Sequence, residues 1–306
     1  MKHSSATRAQ AWGSLAALVV GSAVAWRLIA ARRERRRLLR RGEIRQLQDV
    51  WRTVGEHRVF ARASTRSDGS APPVVLVHGW GISSSYFIPT AERLATAFDV
   101  YAPDLLGHGR SDTPDVPRDV PGLARALLDW LDETQLERVS LVGHSLGAQI
   151  AVEAALQQPA RVDRLVLIGL TCDPQARSTT EQIRRFAIGG AYERAALNNH
   201  VVKDYSRMGR RLVPEFRFML RDPIEHKLPK VSQPVLLVRG EKDPLAPQRW
   251  IDEAARLLGG AAVAVIPGWG HAVQFSAPAE LVAAISPFLH QPAARTAAEL
   301  AQTTLA

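Results

Sequence analysis

Val139-Ser140-Leu141-Val142-Gly143-His144-Ser145-Leu146-Gly147 decides the reading of this chain. A short apolar strand runs into G-x-S-x-G, and a helical pattern follows over Ala148–Leu156. A strand that turns sharply into a helix crowds its turn residues. Gly143 and Gly147, having no Cβ, leave room for such a turn. The serine between them is pushed out at the top of the sheet, within reach of a substrate. The five-residue pattern alone is a weak signal in a chain rich in alanine and glycine. The strand before it, the helix after it and the partners downstream make it strong.

Outward from this turn, apolar runs alternate with helical patterns. Trp51–Ala63 reads as a strand pair, Val74–Val77 as a buried strand, Thr90–Phe98 as a helix and Val100-Tyr101-Ala102 as a strand. Val120–Leu131 is helical, and Leu165–Ile168 is again a strand. Val235–Val238, Pro247–Leu258, Ala262–Ile266 and Ala279–Leu289 continue the alternation as strand, helix, strand and helix. Strands separated by helices of this length imply right-handed βαβ crossovers and a mostly parallel sheet. Apolar runs without polar alternation fit strands covered on both faces. The fold class is therefore α/β, with helices flanking a mostly parallel central sheet.

The segment Asp173–Lys230 breaks this rhythm. It is rich in arginine, carries Phe186, Tyr192, Tyr205, Phe216 and Phe218, and reads as several short helices. It is expected to be a small helical lid inserted after the sixth strand. The predicted organisation is an anchor and basic segment over 1–45, a core over 46–172 and 231–290, a lid over 173–230 and a tail over 291–306. A core of this size is well within what 306 residues can bury.

The formal net charge of +9 suggests nucleic acid or a membrane until it is mapped. Residues 1–45 alone carry a net +9, and from Gln46 onward acidic and basic residues balance. A catalytic domain built to bind nucleic acid is thus poorly supported. Ala11–Ala31 is apolar apart from Arg27, and seven arginines follow at 32–41. A spanning helix needs about 20 apolar residues, and this segment reaches that length if Arg27 snorkels to the interface. A cleaved signal peptide would use Ala23-Val24-Ala25, but arginines directly after the cleavage site oppose export. A surface helix is the third reading. The expectation is a single-pass N-terminal membrane anchor, a transmembrane helix with the catalytic domain on the cytoplasmic side by the positive-inside rule. An exported form is the alternative. The single cysteine, Cys172, excludes an internal disulfide and reads as buried filler.

A serine hydroxyl is a poor nucleophile at neutral pH and needs a base, itself oriented by a carboxylate. His271, in the loop Pro267-Gly268-Trp269-Gly270-His271 after the last strand, is placed at the same sheet edge as Ser145. Asp243, in Gly240-Glu241-Lys242-Asp243-Pro244, is the chosen acid, with Glu241 and Asp173 as alternatives. The chain order is then Ser145, Asp243, His271. An oxyanion needs backbone donors. Leu146 N–H is one. The loop His78-Gly79-Trp80-Gly81 should supply the other, with Trp80 chosen ahead of Gly81. His78, His144 and Asp104 read as architecture. The lone cysteine leaves no multi-cysteine metal site, and no metal is expected.

Together these residues resemble the α/β-hydrolase superfamily. The resemblance runs over roughly Val50–Leu289, through His78-Gly79-Trp80-Gly81, Asp104-x-x-Gly107-x-Gly109-x-Ser111, Gly143-His144-Ser145-Leu146-Gly147, Gly240-x-x-Asp243 and Gly270-His271. Within the superfamily the chain looks like the lidded bacterial esterases, C–C-bond hydrolases and cofactor-free haloperoxidases. The resemblance implies a serine nucleophile, an acyl-enzyme and no cofactor. Ser145 argues against haloalkane dehalogenases and epoxide hydrolases, which use aspartate, and the elbow differs from the G-G-S-W-G of prolyl aminopeptidases. The expected function is a membrane-associated serine hydrolase of carboxyl esters, with a hydrophobic, lipid-derived ester as partner. Acyl transfer, thioester cleavage, C–C cleavage and a non-catalytic binding role are the alternatives.

Overall fold

The computed structural model describes residues 30–64 and 72–291. They fall into two compact units divided between Arg45 and Gln46. In the first, residues 30–41 are helical and largely exposed, with Glu34 paired to Arg37 at 3.9 Å. Among the described residues no helix is long and apolar enough to cross a membrane. The stretch Ala11–Ala31, on which the anchor and signal-peptide readings rest, lies outside the described residues except for its last two positions. The tail from residue 292 onward also lies outside them.

The second unit is built on eight strands: β1 (Gln48–Val54), β2 (His57–Ser64), β3 (Val74–Val77), β4 (Val100–Pro103), β5 (Val139–His144), β6 (Val162–Ile168), β7 (Val235–Gly240) and β8 (Ala262–Ile266). Their order across the sheet is β1-β2-β4-β3-β5-β6-β7-β8. β1 and β2 are antiparallel, β2 runs antiparallel to β4, and every other neighbouring pair is parallel.

The central strands read as continuous apolar runs because alternate residues serve different cores. Val75, Val77, Leu141, Leu165, Leu167 and Leu237 pack with the helices Val120–Glu133, Leu146–Gln157 and Gln248–Leu257 on one face. Val74, Leu76, Val142, Val166, Ile168 and Val238 pack with Ile88–Leu94 and Pro278–Leu289 on the other. Coverage on both faces fails at the edge. In β8 only Ile266 is buried, and Val265 is 40% exposed. An edge strand has one neighbour, and the expectation of double burial does not extend to it.

Local signals set the helix ends. The helix expected at Thr90–Phe98 starts at Ile88, because Pro89 suits a first turn, and ends at Leu94. Asp119 caps Val120–Glu133 by accepting the Gly122 N–H at 2.9 Å. Between β6 and β7 the chain leaves the sheet for the helices Thr179–Gly189, Ala195–Met208, Leu212–Arg221 and Ile224–Lys227. Ser178 caps the first of them.

Candidate active site

The loops that follow β3, β4, β5, β6, β7 and β8 meet at one edge of the sheet, as crossovers of one hand require. Ser145 sits there between β5 and the helix Leu146–Gln157, at φ +57° and ψ −120°. A non-glycine residue in that region stores roughly 1–3 kcal/mol of strain and persists only where its surroundings hold it. The turn is held by its neighbours. The Ser145 N–H donates to Ile168 O at 2.9 Å. A Cβ at Gly143 would lie 2.3 Å from Gly147 O, and one at Gly147 would lie 2.1 Å from Val77 O. Backbone packs against backbone on both sides of the serine, so only glycine fits.

His271 and Asp243 come together from two neighbouring loops. Nδ1 of His271 donates to Oδ2 of Asp243 at 2.7 Å, and both side chains are buried. The other oxygen, Oδ1, accepts Leu245 N–H at 2.8 Å and Ala246 N–H at 3.2 Å. The buried Arg239 braces this loop, donating through Nε to Ala246 O and through Nη2 to Glu241 O and Asp243 O. Burial alone would push the Asp243 carboxyl up; the charge and hydrogen bond of His271, with the two loop N–H donors, outweigh it and hold the carboxyl below its ordinary value. For His271, burial works against protonation, and Asp243 and Glu193 more than reverse it, raising the imidazole above its ordinary value. Its Nε2 is buried and has no hydrogen-bond partner among the described residues.

The two alternative acids are elsewhere engaged. Glu241 Oε2 accepts Gly268 N–H at 2.7 Å, and Asp173 is ion-paired with Arg185 and Arg249. Ser145, His271 and Trp80 line one cavity of about 250 Å³, walled by insertion residues that include Phe186, Tyr205 and Phe216. Tyr192 and Phe218, the other insertion aromatics, do not line it. Leu146 is buried behind the serine, and its N–H is the first of its helix, a donor with no intrahelical acceptor. The Gly79 N–H is spent on Tyr86 Oη at 2.8 Å, which leaves the Trp80 N–H as the next donor in that loop. The Trp80 ring is pinned by Nε1 to Leu212 O at 3.0 Å and by contacts with Tyr205 and Phe216.

Two other histidines of this edge, His78 and His144, have both ring nitrogens engaged. His78 accepts Leu105 N–H on Nε2 and donates from Nδ1 to Gly79 O. Burial, with His108 alongside, pulls its pKa down to about 4, so it stays neutral. His144 accepts from Tyr86 Oη on Nδ1 at 2.7 Å and donates from Nε2 to His271 O at 3.0 Å. Burial drives it well below its ordinary value as well. Asp104 ties two loops together by accepting Ser84 N–H and Arg110 N–H, each at 2.8 Å. Tyr86 and Glu193 carry no sequence motif, and both act here through contacts distant in the chain. Among the described residues no cluster of three His, Cys, Asp or Glu side chains could hold a metal ion.

Comparison with known proteins places this geometry in context. An uncharacterized protein of Mycobacterium tuberculosis is 41% identical over 144 residues, 44% of this chain and 41% of that protein. The chain thus spans about two fifths of the length of the mycobacterial relatives it matches. A pimeloyl-[acyl-carrier protein] methyl ester esterase of Nitrosomonas europaea is 28% identical over 255 residues, 73% of this chain and 98% of that enzyme. The solved structure of a thermophilic esterase from Thermogutta terrifontis matches with a TM-score of 0.65 at 24% identity, covering 80% of this chain and 98% of that one. The model of the alpha/beta hydrolase family matches residues 74–285, from β3 to the last helix. The chain belongs to the alpha/beta hydrolase family.

Proposed function

We propose that this protein is a serine hydrolase of carboxyl esters, with Ser145 as nucleophile, His271 as base and Asp243 as the orienting acid. One observation carries the reading. The unpartnered Nε2 of His271, its ring locked by Asp243, lines the same cavity as the strained Ser145. Ser145 Oγ attacks the ester carbonyl, and its proton passes to Nε2. The negative charge on the carbonyl oxygen falls to the N–H groups of Leu146 and Trp80. The imidazolium returns the proton to the leaving alcohol, and water activated by His271 releases the acid. Asp243, ionised throughout, keeps the Nδ1 proton in place.

The cavity walls favour a hydrophobic acyl group, with the insertion 173–230 serving as a lid. The esterase activity named for the Nitrosomonas relative supports ester cleavage. Membrane association is the second part of the reading. It rests on the apolar stretch Ala11–Ala31 and the arginines after it, which suit an anionic lipid surface.

Turnover of p-nitrophenyl esters and labelling by a fluorophosphonate probe test the mechanism. Ser145→Ala should abolish both. Full turnover in that variant, or labelling at another residue, sinks it.

A further inference from the structure

Glu193 lies in the insertion, between the helices Thr179–Gly189 and Ala195–Met208, and its carboxylate reaches across onto the loop that carries His271. Oε1 accepts the Ala272 N–H at 2.7 Å, and Oε2 accepts the Ser276 hydroxyl at 2.6 Å. On the other side of His271, a Cβ at Gly270 would come within 2.7 Å of Oε1. The carboxylate is therefore seated against both neighbours of the imidazole, against Gly270 by close approach and on Ala272 by a hydrogen bond. It also lines the cavity shared by Ser145 and His271. Next to it, Arg194 lays its guanidinium over the Trp269 ring, 5.3 Å from the centroid, so a second insertion residue grips the same loop.

A buried carboxylate is costly, and burial pushes Glu193 above its ordinary value despite its two donors. A loop needing only an acceptor for one N–H and one hydroxyl could use a neutral amide. What an amide lacks is charge. The titratable groups facing His271 are Asp243, Glu193 and the neutral His144, whose ring centroid lies 4.5 Å away. Those facing Glu193 are His271 and Asp243.

We propose that Glu193 is a positioning residue for His271, through which the insertion fixes the catalytic loop and sets a second negative charge beside the imidazolium. The proposal rests on the reading of Ser145 and His271 above. It makes the insertion part of the base's support as well as a wall of the cavity. Without Glu193 the Ala272 N–H and Ser276 hydroxyl lose their acceptor, and the loop gains freedom at the residue that must meet Ser145 Oγ.

The experiment uses the full chain, with sites counted by fluorophosphonate titration run to completion. In Glu193→Ala, kcat per titrated site should fall about 10–100-fold with KM little changed, the cost of a slackened base. Glu193→Gln keeps an acceptor for Ala272 and removes the charge. It should keep most of kcat at high pH, while the acid limb of kcat/KM moves down by about 0.5–1 pH unit, because an anion favouring the imidazolium is gone. A carboxylate that merely holds structure would lower Tm and the titrated fraction and leave the limb in place. That result, or wild-type kcat and limb in both variants, overturns the proposal. Should Glu193→Ala fail to fold, the limb of Glu193→Gln decides alone. Failure of the underlying mechanism looks different: turnover would survive Ser145→Ala in the otherwise native chain.

Discussion

Gly169 sits against His271. A Cβ at Gly169, where φ is +54°, would lie 2.8 Å from both Nδ1 and Cε1 of the imidazole and 3.2 Å from Asp243 Oδ2. The residue after β6 thus leaves the space into which Asp243 and His271 of the neighbouring loops fit. Gly169→Ala should push the ring off Asp243, and kcat should fall about 100-fold while the protein stays folded. Steady-state kinetics beside a circular dichroism melt test this. Unchanged kcat in a folded variant would show that the ring tolerates displacement.

The acid side of the pH profile follows from the imidazole. In the proposed mechanism His271 must be neutral to accept the serine proton, and its neighbours hold it above the ordinary histidine value of about 6.5. Activity is therefore lost as pH falls through that raised value. The acid limb of kcat/KM should have its midpoint above 6.5, and a midpoint near 5.5 would contradict the assignment of the base.

Asp243→Asn tests the acid. The amide can still accept the Leu245 N–H, so the loop should survive, but the charge that favours the imidazolium is gone. A loss in kcat on the order of 10⁴-fold is expected, as for an orienting acid whose replacement leaves the wrong tautomer. A loss below about tenfold would move the role to another carboxylate.

Tyr86→Phe removes one hydroxyl that serves two partners, accepting from Gly79 N–H and donating to His144 Nδ1. Both would be left buried without a partner. The expected cost is about 2–6 kcal/mol, at roughly 1–3 kcal/mol for each of the two orphaned groups. Urea titration measures it, and a change under 0.5 kcal/mol would mean that water replaces the hydroxyl freely.

Cys172 should be chemically silent. It is buried, and burial pushes its thiol up to about 12. Iodoacetamide at pH 8 should leave the native protein unmodified and alkylate it once unfolded, with mass spectrometry as the readout. Rapid modification of the native protein would contradict its burial.

The sheet was legible because its central strands are continuous apolar runs and its helices fill the intervals. The serine turn was legible because backbone packing at Gly143 and Gly147 leaves a local pattern. Three acids could be named from their positions after strands, but which one meets His271 depends on side-chain direction. Asp173 turns to Arg185 and Arg249, and Glu241 to Gly268. Tyr86, Gly169 and Glu193 carry no local sequence pattern, since each makes its contacts across loops that meet only after folding. The exposure of β8 has no sequence signal for a similar reason: a short apolar strand looks alike at an edge and in the centre.

The detour of the chain between β6 and β7 has a consequence for how this molecule can change. Ser145, Asp243 and His271 are carried by loops of the sheet, whereas most of the cavity wall belongs to a segment that departs and returns at two fixed points. On the proposed mechanism such a segment is an exchangeable cassette: swapping it should alter which ester fits and leave the bond-breaking groups in place. If Glu193 positions His271 as proposed, it limits that freedom, because a transplanted cassette lacking an equivalent carboxylate would bring new selectivity together with a slack histidine. Chimeras of this protein should therefore divide into fast and slow classes according to that one side chain, whatever acyl group they prefer.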